Sequence, residues 1–170
     1  MGPWVWDSRD MFTKDGILAL HSWTHDSLDL VYTHAATLTP EQFVAEIPGF
    51  GSASVRDQLG HIIQCEQAWV HSLQYLPRSR WSGTDFPTVA SLQEARQRVM
   101  EETIAYLEQL PDEQLNRELT HRPDGWDWPL RSPAFILHHV LTHAFHHKGQ
   151  VVAMFRLLGS PAPDTDLQRG

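Results

Sequence analysis

Cysteine is nearly absent from this chain: Cys65 is the one thiol in 170 residues. That excludes an intramolecular disulfide and any zinc cage built from several thiolates, so a metal site here draws on imidazole and oxygen. Also missing is any apolar run approaching the roughly 18 residues that a membrane-crossing helix needs. The first residues, Met1-Gly2-Pro3-Trp4-Val5-Trp6-Asp7, show neither a basic region nor the apolar stretch of a secretory leader. A cytoplasmic protein with no membrane partner is expected. Clustered positive charge is lacking too. Thirteen Lys and Arg are spread along the chain against 21 Asp and Glu, leaving a formal charge of −8, which argues against a nucleic-acid backbone as partner.

Histidine, by contrast, is plentiful and unevenly placed. Five of the eleven histidines fall within the thirteen residues His138-His139-Val140-Leu141-Thr142-His143-Ala144-Phe145-His146-His147-Lys148-Gly149-Gln150. On a helix, residues four apart stack on one face, so His139/His143 and His143/His147 could each offer two imidazoles to one ion. A helical projection separates these pairs, because each residue advances about 100° around the axis. Leu137, Val140, Leu141, Ala144, Val151, Phe155 and Leu158 define the apolar face. His147 falls inside that arc, His143 lies at its edge with Ile136 and Met154, and His139 lies roughly 40° further round. His138 and His146 project away and are expected to be solvated. The favoured pair is His143 with His147, which needs at least one further ligand from elsewhere.

The rest of the chain reads as helices punctuated by turns. Ordinary globular composition, 41% hydrophobic and 20% charged, and a length that suits one core imply a single domain over 1–170. Ile17 to Thr37 has helical spacing and carries His21 and His25, four apart; that pair is expected to be structural, and is the main rival location for a metal. Thr39-Pro40 starts a short helix that Pro48-Gly49 ends. Ser54 caps a second long helix that continues to Pro77. His61 sits on a flank of its apolar face, a poor place for a core histidine, so a solvated role and a ligand role both stay open. Cys65, one turn on, reads either as a small apolar filler or as a neighbour of a site.

Arg78 to Ala90 is expected to be a loop whose Trp81 and Phe86 could close over a pocket. Ser91 with Glu94 reads as the capping box of a third long helix ending before Pro111. Between Leu115 and Leu130 the period changes around Pro123-Asp124-Gly125, which implies an irregular hairpin or extended loop carrying Trp126 and Trp128. Ser132-Pro133 opens the fourth long helix, which runs to Leu158, where Gly159 and Pro161 stop it. Residues from Ala162 to Gly170 are expected to fray. Four long amphipathic helices imply an all-α four-helix bundle with a long connection between the third and fourth.

Two stretches resemble the DinB-like superfamily of small four-helix metalloproteins, which includes YfiT-type proteins and bacterial transferases of low-molecular-weight thiols. One is Leu59-Gly60-His61-Ile62-Ile63-Gln64-Cys65-Glu66-Gln67-Ala68-Trp69. The other, more specific, is His139 through Gln150. Lys148 stands where members of the family often have Arg. The resemblance implies that His61, His143 and His147 hold one divalent ion, and it supplies His61, which projection alone does not select. Three imidazoles leave a coordination position open, as catalytic sites do. Zinc suits this set, and nickel, iron and manganese also accept imidazole.

The resemblance further implies a homodimer and, for part of the family, transfer of bacillithiol, mycothiol or glutathione to an electrophile. No catalytic dyad is evident, which suits a reaction whose nucleophile is an external thiol. Cys65, Trp81, Phe86, Trp126 and Trp128 are the candidate pocket residues. Metal-dependent hydrolysis is the alternative enzymatic reading, with Glu66 as the one acidic residue near the motif, at a poor angle to His61. A non-catalytic metal-binding or stress-response protein is the third.

Overall fold

The computed structural model describes residues 11–121 and 129–166. The described residues are helical and contain no strand. Four long helices, α1 (Lys14–Ala35), α3 (Val55–Leu73), α4 (Val89–Gln109) and α6 (Pro133–Leu157), are joined by connections that hold two short ones, α2 (Pro40–Val44) and α5 (Asp112–Leu115). α3 packs against α4 and α6, and α1 packs against the same two helices. α1 and α3 therefore face each other diagonally across the bundle.

Side-chain caps set most of the helix starts. Thr13 accepts the Gly16 N–H at 3.0 Å, which starts α1 three residues before the expected Ile17. Thr39 and Gln42 close a reciprocal capping box on α2. Ser54 caps α3 as expected, but that helix ends at Leu73 instead of continuing to Pro77. Tyr75 there takes a left-handed conformation, φ 57°, and the Leu76 N–H turns back to the His71 carbonyl at 2.8 Å.

The third long helix also differs at its start. Thr88, not Ser91, is the N-cap, and Ser91 is its partner in the box. Both residues have the chemistry of a cap, and the sequence pattern alone placed the start one turn late. α5 was not foreseen, because Pro111 at its N-cap makes no side-chain bond that a sequence would announce. Ser132 caps α6 with Pro133 at its first position, as expected.

Across the connection between α5 and α6, the Leu119 N–H reaches the Arg131 carbonyl at 3.2 Å. The expected turn at Pro123-Asp124-Gly125 lies outside the described residues. The tail is held further along than the expectation of fraying from Ala162 implies: Thr165 is buried, and its carbonyl accepts from Ser27 Oγ at 2.8 Å and Lys148 Nζ at 2.6 Å.

The core is divided into two apolar clusters. One gathers Leu28, Tyr32, Leu59, Ile63, Val99, Met154 and Phe155; the other gathers Ile17, Val70, Leu73, Leu107, Ala134 and Leu137. His21 and His25 of α1, Glu66 of α3 and Thr103 of α4 lie between them along their helices, all buried. This polar layer crosses the diagonal of the bundle.

Candidate metal centre

His61 comes from α3, and His143 and His147 come from successive turns of α6, where the two helices pack together. Each offers a ring nitrogen, and these nitrogens all lie within 4.8 Å of one another. Ring centroids are 5.1 Å apart for His61 and His143, 4.5 Å for His61 and His147, and 4.3 Å for His143 and His147. All three residues are half-buried.

Burial and mutual repulsion keep these imidazoles neutral. Burial pushes the His143 pKa down to about 3, reinforced by His147 and His61. Burial and His61 push that of His147 down to about 4, and burial lowers that of His61. A neutral imidazole presents a lone pair, which is what a metal ion requires.

The tautomer of His147 is fixed from behind. Its Nδ1–H donates to Gln58 Oε1 at 2.7 Å, leaving Nε2 unprotonated and facing the groove. Gln58 is fully buried, and its Nε2 donates to Gln150 Oε1 at 2.6 Å, so the amide is itself oriented. Gln58 went unread in the sequence. The signal was its position between Val55 and Ile62 on the apolar face of α3, where a polar side chain needs a partner.

The other candidates sort around this group. His139 stands beside it, 5.9 Å from the His143 ring and 5.3 Å from Trp69, and does not join the cluster. His138 and His146 are exposed. Cys65 Sγ lies 3.5 Å from His61 Nε2; burial raises its pKa to about 11, so the thiol stays protonated. Trp81 and Phe86 pack edge to face at 5.3 Å and line a cavity of about 190 Å³ against His61. The loop holding them comes close to α3: a side chain at Gly83 would run into the Asp57 carboxylate. Trp126 and Trp128 lie outside the described residues.

A second set of donors, His21, His25 and Glu66, is also gathered within 4.8 Å. It differs in chemistry. His21 Nε2 and Thr103 Oγ1 each bond Glu66 Oε1 at 2.8 Å, and His25 Nε2 lies 3.2 Å from Oε2. Arg96 Nη1 donates to His25 Nδ1 at 3.3 Å and to the His25 carbonyl at 3.0 Å. Nδ1 of His25 therefore carries the lone pair and Nε2 the proton, which points at Glu66. A proton where a metal would sit, and a guanidinium beside it, make this layer a hydrogen-bonded core network.

Burial pushes the Glu66 carboxyl upward, but the hydrogen bonds from His21 and His25 outweigh it and hold Glu66 below the usual carboxylate range. Glu66 is thus a buried, fully bonded anion on the core side of α3. As a base for hydrolysis at His61 it is already committed elsewhere.

The DinB family model matches residues 11–170. The chain belongs to the DinB family. A crystal structure of a DinB-like protein, YjoA of Bacillus subtilis, superposes with a TM-score of 0.62 at 21% identity, covering 89% of this chain and 99% of that one. That likeness bears on the fold, and it agrees with the all-α architecture of this DinB chain. No curated protein matches it in sequence. Among the described residues no helix is long and apolar enough to cross a membrane.

Proposed function

We propose that this DinB protein holds one divalent transition-metal ion on His61, His143 and His147, and that it transfers a low-molecular-weight thiol to an electrophile. The observation that carries the reading is three neutral imidazoles converging where two cavities meet at His61, the larger of which has no carboxylate in its wall among the described residues. Their donor set fits such an ion: all three are nitrogen ligands, and the Gln58 bond leaves His147 Nε2 free to bind. Zinc suits these ligands best, with nickel, iron or manganese as alternatives.

A divalent ion held there would stabilise the deprotonated form of an incoming thiol, supplying the nucleophile at neutral pH. The chain's own residues position and shelter. Trp81 and Phe86 form the aromatic part of the smaller cavity's wall, where an electrophile would pack against their rings. Cys65, kept protonated by burial, does not compete as nucleophile. In the reaction a carbon–sulfur bond forms, the leaving group departs with its electron pair, and the thiol proton passes to solvent. Hydrolysis is less well supported, because Glu66 is engaged in the core network. The wider proposal is a single-domain cytoplasmic protein that acts as a homodimer.

Metal-loaded protein is expected to accelerate conjugation of bacillithiol, mycothiol or glutathione to monochlorobimane over the metal-free protein, and His147→Ala to abolish the gain. If none of the three thiols reacts faster than in the metal-free control, the transfer reading falls and a non-catalytic metal protein replaces it.

A further inference from the structure

His61 borders two cavities. The smaller contains Trp81 and Phe86. The larger, about 750 Å³, extends from His61 past Gln64 and Cys65 to Arg78, Ser79 and Arg80. The chain has 21 acidic residues against 13 basic ones. Yet among the described residues two guanidinium groups and no carboxylate line the larger cavity.

The two arginines differ in how they are held. Arg78 Nε donates to Ser72 Oγ at 2.8 Å, and its guanidinium lies 5.9 Å from the Trp69 ring, so its charge has a set position. Both arginines are exposed. The smaller cavity has no such field: Asp57 lines it and pairs with Arg56 at 3.1 Å. Among the described residues the guanidinium groups at His61 thus line the larger cavity, and the carboxylate lines the smaller one.

We propose that the larger cavity is a carboxylate subsite for the thiol: the substrate carries acid groups remote from its sulfur, and Arg80 receives them beside the charge of Arg78. The inference rests on the thiol-transfer reading and adds to it the class of thiol. Sulfur lies at the imidazole end and carboxylate at the arginine end. A guanidinium fork matches a carboxylate with two parallel hydrogen bonds, a geometry that orients the ligand as well as holding it. Glutathione and bacillithiol each bear two carboxylates, whereas mycothiol bears none. The subsite thus favours the first two and disfavours the third. Arg80 is a positioning residue here; the bonds made and broken are those already described.

Calorimetric titration of the three thiols into zinc-loaded protein reads this without relying on turnover. Glutathione and bacillithiol are expected to bind about tenfold or more tightly than mycothiol, the scale of one charge-assisted hydrogen bond. Arg80→Gln is expected to cost both acids about tenfold while zinc content and mycothiol affinity stay unchanged. Raising NaCl from 0.05 to 0.5 M, about a threefold shortening of the screening length, is expected to weaken only the acids. Mycothiol binding as tightly as the acids, or an equal loss for all three thiols in Arg80→Gln, would overturn the subsite while leaving thiol transfer standing. Failure of all three to bind would overturn both together.

Discussion

Nδ1 of His147 sits 2.7 Å from Oε1 of Gln58, a residue with no solvent exposure. The bond joins α6 to α3 and decides which nitrogen of His147 faces the groove. Partners of this kind typically contribute 10- to 100-fold to metal affinity. Gln58→Leu is therefore expected to weaken zinc binding by about that factor with the helical fold retained. Competition against a chromophoric chelator, alongside circular dichroism, measures both. Unchanged affinity in a folded variant would remove Gln58 from the site.

Glu66 supports the bundle, not the chemistry. Removing one partner of a buried charged network costs about 3–5 kcal/mol, so Glu66→Ala is expected to lower the unfolding free energy by about that amount, as urea denaturation would show. The pH dependence has a definite sign. The folded carboxyl titrates below its unfolded value, about 4.3 for a free Glu. Its contribution is fully present above that value and is lost as the pH falls through the lower, folded one. The wild type should lose stability on acidification below about pH 4.3 more steeply than Glu66→Ala. Parallel acid profiles would contradict this role.

Much of this was legible in the sequence, for physical reasons that differ from place to place. The helical projection put His147 in the apolar arc and His143 at its edge, and the structure brings both beside the helix that carries His61, because side chains four apart on α6 share a face. His61 could not be selected by projection, since meeting α6 depends on how two helices pack and not on spacing within one. The pairing of His21 and His25 was visible and its structural role expected, but spacing within α1 names no partner for it. Glu66 recurs in step with Leu59, Ile63, Val70 and Leu73 on the core face of α3, and the sequence reading considers it only as a hydrolytic base at a poor angle to His61. An acid at an apolar position announces a buried partner, and that partner lay on α1. The late start assigned to α4 has a simpler origin: Thr88 and Ser91 are both competent caps, and only the backbone decides between them.

Association is the next expectation. α1 presents Trp23, 53% exposed, with Leu20 and Leu30 partly exposed on the same helix, an apolar surface suited to a second copy. Multi-angle light scattering at micromolar concentration should give twice the 19.5 kDa chain mass, and Trp23→Glu should shift the population toward monomer. A monomer mass for the wild type would rule the dimer out.

The central claim is one ion on His61, His143 and His147, and elemental analysis of protein purified without an affinity tag tests it most directly. The account predicts close to one transition-metal ion per chain in the wild type and in His139→Ala, and loss of most of it in His143→Ala. Full metal content in folded His143→Ala would contradict the account and place the ion elsewhere.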